Sequence, residues 1–474
     1  MKEAPALRTS AALLSGGKLF SLAVTFLTVA VMTRYLGTEG YGEYRIIIAF
    51  LALATSFADL GTPLIIAREL SRPDADEERV LGNALGLRLA AVTIAVVGTG
   101  AVAFLLAPRP AVVLGIFAGA VGFIAVGQHA VLFVLFQQRL RQAGAVLAET
   151  AGVVALLILA WMLTKTEAGV LAFVLGTAAS SVLTVAISAV FAARLLRVRL
   201  RFEWAEWRRL LVAAMPIAAT GALTLLYYRL DMVILGVVHP GAQVGLYGVP
   251  AKVLDAIVGF TLLFSGLLMP LMSRHAGIDD AKFRQFFSLG TDTLVIGTGA
   301  ILLVILLHAG PIVTLIGGAD FAAGAPALRV LGLMAMVASV RYMAQQAVTA
   351  LNAQGRLVRG YVAAAVVGVA AYLTLIPRYG GVGAALGLLL GETVVFVWAL
   401  YVLRGYGLTV AANVPLKVLV SLGATYFTWM WLEEFGLPWA FSALSAVAAY
   451  ILLLLLIRGL PRHVLQLVVL VKPT

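Results

Sequence analysis

The sequence predicts an all-α polytopic membrane protein, and three observations carry that prediction. The residues are 62% hydrophobic and only 12% charged, with a mean hydropathy of +1.03, whereas a soluble domain is nearer half apolar and a quarter charged. Apolar runs long enough to cross a bilayer recur from one end of the chain to the other. The runs are continuous and do not alternate with polar residues, which argues against a transmembrane β-barrel.

About fourteen apolar segments follow one another, each near the ~20 residues that a helix needs to cross the hydrocarbon. The first is too long for the apolar core of a signal peptide and no cleavage pattern follows it, so it is predicted to be a retained helix. The predicted spans are 11–36, 42–69, 80–107, 111–136, 143–163, 169–195, 210–238, 245–272, 284–308, 321–351, 357–376, 381–403, 413–432 and 438–457.

The net charge of +12 is explained first by topology, because lysine and arginine accumulate in cytoplasmic loops. Links after even-numbered segments hold most of these residues, and links after odd-numbered segments hold few. The pattern predicts that both termini and the even-numbered links are cytoplasmic. The basic residues of the even-numbered links include Arg72, Arg79, Arg139, Arg141, Arg194, Arg208, Arg209, Arg274, Arg284, Arg356, Arg359 and Arg404.

The longest link, residues 196–209, alternates basic and apolar residues and contains Trp204 and Trp207. This pattern predicts a short amphipathic piece at the cytoplasmic surface, with the indoles at headgroup level. The link falls near the middle of the chain, where a connection between two halves is expected.

Internal repetition supports two halves. Gly42-Glu43-Tyr44 opens the second segment and Gly245-Leu246-Tyr247 opens the eighth, and two further weak matches recur in the same order. Six helices per repeat return the chain to the same side, so the halves are predicted to be parallel repeats. The predicted division is an N-terminal lobe at 1–200, a C-terminal lobe at 201–408, and two further helices with a cytoplasmic tail at 409–474.

An ordered set of motifs resembles a known family. It includes Arg34-Tyr35-Leu36-Gly37, Ala58-Asp59-Leu60-Gly61, Met215-Pro216, Asp231-Met232-Val233-Ile234-Leu235-Gly236, Met269-Pro270-Leu271-Met272-Ser273 and Pro377-Arg378-Tyr379-Gly380-Gly381. The set covers roughly residues 10–405 and resembles the polysaccharide flippases of the multidrug/oligosaccharidyl-lipid/polysaccharide exporter superfamily. The resemblance implies fourteen helices, two six-helix lobes around a central cavity, alternating access, and a lipid-linked oligosaccharide as cargo.

Charged residues inside the apolar segments are costly, about 2.5–3.5 kcal/mol at the bilayer centre, so they are expected to face a cavity or a partner. Cations outnumber acids in this set, and a cavity lined in this way suits an anionic diphosphate headgroup. Arg88 and Arg341 have no acid one turn away and are the preferred candidates, together with Lys18. The full set of predicted substrate-binding residues is Lys18, Arg34, Arg45, Arg88, Arg229, Lys252 and Arg341.

Structural explanations stand beside these functional ones. Arg34 and Arg45 lie near the predicted outer interface, where they would snorkel or pair with Glu39 and Glu43. Lys252 with Asp255, and Arg229 with Asp231, would simply neutralise each other. The acids that are candidates for coupling to an H⁺ or Na⁺ gradient are Asp59, Asp231, Asp255, Asp292 and Glu392. No cofactor or metal site is expected, since the five histidines are scattered and cysteine is absent.

The preferred function is therefore a flippase that moves a polyprenyl-diphosphate-linked oligosaccharide from the cytoplasmic to the outer leaflet of a prokaryotic plasma membrane. An ion-coupled multidrug or small-molecule antiporter of the same fold is the alternative, and the basic charge balance argues against it. A membrane glycosyltransferase or polymerase is a third hypothesis. The short outward-facing links between the helices and the lack of a paired-carboxylate site argue against it. The expected partners are the cargo, the bilayer and glycan-assembly membrane proteins, with no nucleic acid, and the chain is expected to be a monomer.

Overall fold

The computed structural model describes residues 3–59, 61–72, 74–106, 109–139, 141–196, 198–432, 438–461 and 464, with the side chains of 3–15 and 216–227 excluded. Regular structure in these ranges is entirely helical: thirteen α-helices and two short 3₁₀ turns. The chain divides into two compact units. The first contains residues 1–245 with 316–318, and the second contains 246–315 with 319–474.

The first unit is built from seven α-helices, most of them too long and apolar for a soluble domain. An apolar core lies where the ends of α2, α3 and α4 meet α5 and α6, with Leu81, Leu135 and Phe136 fully buried. A smaller cluster around Leu87 and Leu210 joins α3 to α7. The helices are α1 (Glu3–Asp59), α2 (Thr62–Leu70), α3 (Glu77–Leu106), α4 (Pro110–Gln138), α5 (Ala143–Leu163), α6 (Val170–Ala193) and α7 (Trp204–Val238).

The second unit holds most of α8 and the remaining helices. Its described core packs α9, α10, α12 and α13 together around the buried rings of Trp429 and Tyr450. A 3₁₀ turn precedes α10 and another, Gln354–Leu357, precedes α11. The helices are α8 (Gly241–His275), α9 (Asp280–Gly317), α10 (Ala325–Ala350), α11 (Val358–Arg404), α12 (Asn413–Leu432) and α13 (Trp439–Leu456).

Ten helical segments within the described ranges are long and apolar enough to cross a membrane, so the predicted class, an all-α multi-pass membrane protein, is confirmed. Non-helical residues lie inside three of the helices, Gly37 in α1, His308 in α9 and Gly380 in α11. Helices α7 and α12 are not among the ten segments, so the predicted number of about fourteen spans stays a prediction. Helix α12 has 20 residues and α7 has 35, which span about 30 Å and 50 Å at ~1.5 Å per residue.

The kinks at Gly37 and Gly380 each join two helices without a loop. Gly37 has φ 66° and ψ −172°, and Gly380 has φ 55° and ψ −128°, values that favour glycine because a Cβ would be strained there. The predicted link after the first span is therefore a single-residue break. We name the residues of α1 before and after Gly37 its first and second arms.

Three predicted spans needed correction. The span 42–69 was expected to be continuous, but α1 ends at Asp59 and α2 begins at Thr62 after Gly61, which is left-handed at φ 67°. The ninth span extends to Gly317 past a distortion at His308. The tenth begins with the 3₁₀ turn Ala319–Gly324. The predicted boundaries at residues 200 and 408 rest on the sequence repeat and stay predictions, as does the function of the tail, whose residues 462–463 and 465–474 lie outside the described ranges.

The repeated glycine motifs mark a close approach of two helices within the first unit. A Cβ on Gly42 would overlap the carbonyl oxygen of Gly241, and a Cβ on Gly245 would overlap the carbonyl of Thr38. The start of α8 therefore crosses the second arm of α1 with backbones in contact. The sequence echo reflects packing at this crossing, where only glycine fits.

The link before α7 is an extended strap, residues 198–203, that lies against the start of α3. The Arg201 N–H donates to the carbonyl of Gly82 over 3.1 Å. Gly82 and Gly86 leave room for the strap, because a Cβ on either would overlap a strap carbonyl. The predicted amphipathic piece at 196–209 is thus two structures, since the helix α7 already begins at Trp204.

Glu203 anchors the end of the strap to α3. Its carboxylate accepts hydrogen bonds from Arg79 Nε at 2.8 Å and from Asn83 Nδ2 at 3.2 Å, and its N–H donates to Asn83 Oδ1. The bond from Arg79, and then the bond from Asn83, lower the pKa of Glu203 below its ordinary value because both favour the ionised form.

Candidate functional site

Arg45 is a buried cation without a carboxylate partner in the first unit. It lies on the second arm of α1, eight positions past Gly37, and is 6% exposed. Its Nε makes no hydrogen bond, and no described residue forms an ion pair with it. The predicted pairing with Glu39 or Glu43 is therefore wrong. A buried guanidinium is unfavourable without a counter-charge, so the role of Arg45 in binding an anion stays a prediction that this geometry motivates.

The arm that carries Arg45 is held on several sides. The hydroxyl of Tyr44 hydrogen-bonds with Thr177 of α6 at 2.9 Å. Ile46 packs so closely on Gly236 of α7 that a Cβ there would lie 2.7 Å from its Cγ1. Because the neighbouring side chains are fixed, the position of Arg45 along the helix is fixed as well.

Arg88 of α3 forms a second charged feature in the same unit. Its Nη1 lies 2.6 Å from Oδ1 of Asp59, the last residue of α1, and the side chains are 4% and 44% exposed. A Cβ on Gly127 of α4 would lie 3.1 Å from Arg88 Nε, so that glycine gives the guanidinium room. Asp59, predicted to couple an ion, is thus the counter-ion of the cation predicted to bind cargo.

Arg341 of α10 is the centre of a polar network in the second unit. Its Nε donates to Oε1 of Glu392 on α11, with the two side chains 2% and 0% exposed. Its Nη1 donates to Oε1 of Gln345 at 2.5 Å, and the Tyr361 hydroxyl donates to the same oxygen at 2.9 Å. The guanidinium also lies 3.7 Å from the centroid of the Tyr342 ring. The buried charge is therefore compensated on several sides.

The other predicted cations are less buried. Lys18 is exposed on the first arm of α1. Arg34 is also exposed and donates to the carbonyls of Ala30 and Ile316, each at 3.0 Å. Arg229 is half-buried with its guanidinium 5.6 Å from the centroid of Tyr228. Lys252 lies 3.6 Å from Asp255, one turn along α8, as the neutralising interpretation expected.

Two remaining acids are buried in helices. The Oδ1 of Asp231 on α7 accepts a 2.7 Å hydrogen bond from the N–H of Met232. Asp292 on α9 is buried as well. Ion coupling stays a prediction for all five acids. Asp59 and Glu392 lie in ion pairs with arginines, and Asp255 lies beside Lys252.

A further polar contact was missed because its members come from three helices. His129 of α4 hydrogen-bonds through Nδ1 to the Ser188 hydroxyl of α6 at 2.9 Å, and its Nε2 lies 3.3 Å from Oε1 of Glu149 on α5. The sequence offered no signal for it beyond the presence of a histidine and a glutamate inside apolar segments.

The fold and these buried charges define a class: an all-helical, multi-pass membrane protein with arginines buried between its helices. A family model described as "Polysaccharide biosynthesis protein" matches residues 7–276. The chain belongs to that family, and the predicted resemblance is confirmed. No similar sequence was found among curated proteins.

Solved structures share the fold at low identity. The lipid II flippase MurJ in an inward closed conformation aligns with a TM-score of 0.78 and 13% identity over 94% of this chain and 98% of that one. An outward-facing multidrug resistance MATE family transporter of the MOP superfamily aligns at 0.62 with 17% identity, over 84% and 95%. A MOP superfamily transporter from Pyrococcus furiosus, described as having a binding pocket of reverse polarity, aligns at 0.59 with 15% identity, over 84% and 95%.

Proposed function

We propose that this protein is a flippase that moves a polyprenyl-diphosphate-linked oligosaccharide from the cytoplasmic to the outer leaflet of a prokaryotic plasma membrane. The family description supports a role in polysaccharide biosynthesis. The likeness of the fold to a lipid II flippase supports transport as the activity. The protein then works by alternating access, forms and breaks no covalent bond in its cargo, and has cytoplasmic termini.

The observation that carries the proposal is the buried Arg45. A guanidinium that is 6% exposed and has no carboxylate partner among the described residues leaves its charge for a ligand, and its planar donors match the oxygens of a diphosphate. A carrier of organic cations needs the opposite, a buried acid without a basic partner. The Arg88–Asp59 and Arg341–Glu392 ion pairs are further places where the headgroup could bind, because breaking either pair would free a cation for the anionic headgroup.

The driving force is proposed to be an H⁺ or Na⁺ gradient. Buried acids outside the two arginine pairs, Asp231 and Asp292, are candidates to carry the ion. The contact among His129, Glu149 and Ser188 is a further candidate for the proton. A single charge moved through 100 mV gains about 2.3 kcal/mol, enough to bias a step that is otherwise balanced.

The test is a flipping assay in proteoliposomes with a fluorescently labelled polyprenyl-diphosphate sugar. We expect Arg45→Gln to lower the flipping rate by at least tenfold, because one charge-assisted hydrogen bond contributes about 1.5–3 kcal/mol. The matched control is Arg68→Gln, which removes an exposed cation near the end of α2 and is expected to leave the rate within twofold of wild type.

Each alternative predicts a different outcome. Transport of organic cations without any response to the anionic lipid would identify an antiporter and refute the proposal. Chemical turnover of the sugar lipid by the purified protein would identify an enzyme. Equal rates with and without an imposed pH or Na⁺ gradient would refute the coupling and leave the cargo assignment standing.

A further inference from the structure

The second unit contains a basic cavity that is separate from the Arg341 network. It has a volume of about 800 Å³ and lies among the 3₁₀ turn before α11, the start of α11 and the end of α11. Three guanidinium groups line it, those of Arg356, Arg359 and Arg404, together with the rings of Trp398 and Tyr401. All belong to the described part of the chain.

The charge of this cavity is uncompensated. No carboxylate is among the described residues that line it, and none of the three arginines forms an ion pair with a described residue. Three like charges around one cavity repel one another, by about 1 kcal/mol per pair at 4 Å in water and more where water is excluded. An anion in the cavity would relieve that repulsion.

The wall of the cavity is fixed by packing. The indole N–H of Trp398 donates to the carbonyl of Arg356 at 2.9 Å. Gly360 lies against the same indole, where a Cβ would be 2.6 Å from its Cγ. The guanidinium of Arg356 lies 5.0 Å from the centroid of the Tyr406 ring. These contacts hold the cavity open without a ligand, as a binding site requires.

The predicted position of the cavity relative to the membrane indicates which class of anion it binds. It lies at helix ends that the charge pattern predicts to be cytoplasmic. Tryptophan and tyrosine rings, here the half-buried Trp398 and the exposed Tyr401, are typical of the headgroup region. Basic pockets between membrane helices at this level bind the headgroups of anionic lipids. We propose that this cavity binds the phosphate of an anionic lipid of the cytoplasmic leaflet, with the rings of Trp398 and Tyr401 against its glycerol and upper acyl carbons.

The test measures lipid binding to the purified full-length protein by native mass spectrometry, with phosphatidylglycerol and phosphatidylcholine as probes. We expect phosphatidylglycerol to bind the wild type and phosphatidylcholine to bind far more weakly. In the triple variant Arg356→Gln/Arg359→Gln/Arg404→Gln, the affinity for phosphatidylglycerol should fall on the order of 100-fold, since each interfacial cation contributes about fivefold.

The matched control removes three exposed cations elsewhere at the predicted cytoplasmic side, as Arg68→Gln/Arg194→Gln/Arg274→Gln. It has the same net charge and is expected to keep the affinity within about threefold. Equal losses in both triple variants would refute the proposal, because a general surface charge would then explain the binding. Inorganic pyrophosphate is the soluble probe. Binding of pyrophosphate without binding of phosphatidylglycerol would refute a lipid as the source of the phosphate.

The lipid-binding proposal does not depend on the identity of the transported cargo.

The variant Trp398→Phe keeps all three cations and removes the hydrogen bond to Arg356. We therefore expect an intermediate loss of phosphatidylglycerol affinity, with the thermal midpoint close to that of wild type. An unchanged affinity would refute the role of the indole in holding the cavity. Failure of flipping by the whole protein would bear on the proposed function and leave the lipid measurement intact.

Discussion

Replacing Arg45 by methionine separates a functional charge from a structural one. Arg45 lies eight residues past Gly37, or about 12 Å along the helix at ~1.5 Å per residue, and its side chain is 6% exposed. A charge held there without a partner costs up to about 3 kcal/mol. Methionine fills a similar volume and carries no charge, so it removes that cost and keeps most of the packing.

We therefore expect Arg45→Met to raise the free energy of unfolding by about 1–3 kcal/mol while abolishing transport. The measurement is SDS-induced unfolding in mixed micelles, followed by circular dichroism, beside the flipping assay. Arg341→Met is the contrasting variant, because it leaves the fully buried Glu392 without its cation and should lower the free energy of unfolding by about 3–5 kcal/mol.

The reasoning fails if Arg45→Met destabilises the protein by more than about 2 kcal/mol. That result would mean that the guanidinium is held by groups of the protein itself and is a structural element. It would also fail if Arg45→Met were more stable and still transported cargo at the wild-type rate, because the charge would then have no ligand.

Three further predictions follow from packing and charge. Glu392→Gln should lower the free energy of unfolding by about 3–5 kcal/mol. The double variant Arg341→Met/Glu392→Met should recover most of that stability, since two apolar side chains replace a buried ion pair at little cost. A double variant as unstable as Glu392→Gln would contradict this prediction. Gly42→Ala should lower the unfolding free energy by at least about 1–3 kcal/mol because its Cβ overlaps a backbone carbonyl, and a neutral result would show that the helices separate without cost. The pKa of Glu203 is lowered in the folded protein. Its stabilising contribution is therefore complete above its unfolded pKa of about 4.3 and disappears as the pH falls through the lower folded value. Between pH 6 and pH 3 the thermal midpoint of Glu203→Gln should fall less than that of wild type, and parallel curves of midpoint against pH would refute the assignment.

The helical class could be predicted from the sequence because it depends on local composition. Runs of apolar residues have one stable solution in hydrocarbon, a helix that satisfies its own backbone hydrogen bonds. Span boundaries were less predictable, since Gly61 and His308 interrupt helices inside runs that remain apolar throughout. Nothing in the spacing of hydrophobic residues marks a backbone break of that kind.

The candidate site was only half predictable. The sequence identified Arg88 and Arg341 as costly cations in apolar segments, but it assigned them no partners. Their carboxylates, Asp59 and Glu392, lie on other helices, and the second is 51 positions away. The contact of His129 with Glu149 was missed for the same reason. Pairing between helices depends on which faces meet, which periodicity within one helix does not specify.

The sequence by itself determined that this chain is an all-α membrane protein of the polysaccharide biosynthesis family, because composition and ordered motifs are properties of the linear chain. Only the tertiary structure decided which buried cations are compensated. Arg88 and Arg341 each meet a carboxylate from another helix, and Arg45 meets none among the described residues. The physical reason is that the electrostatic energy of a charge in hydrocarbon depends on the groups within a few ångströms of it. Those neighbours come from helices far apart in the chain.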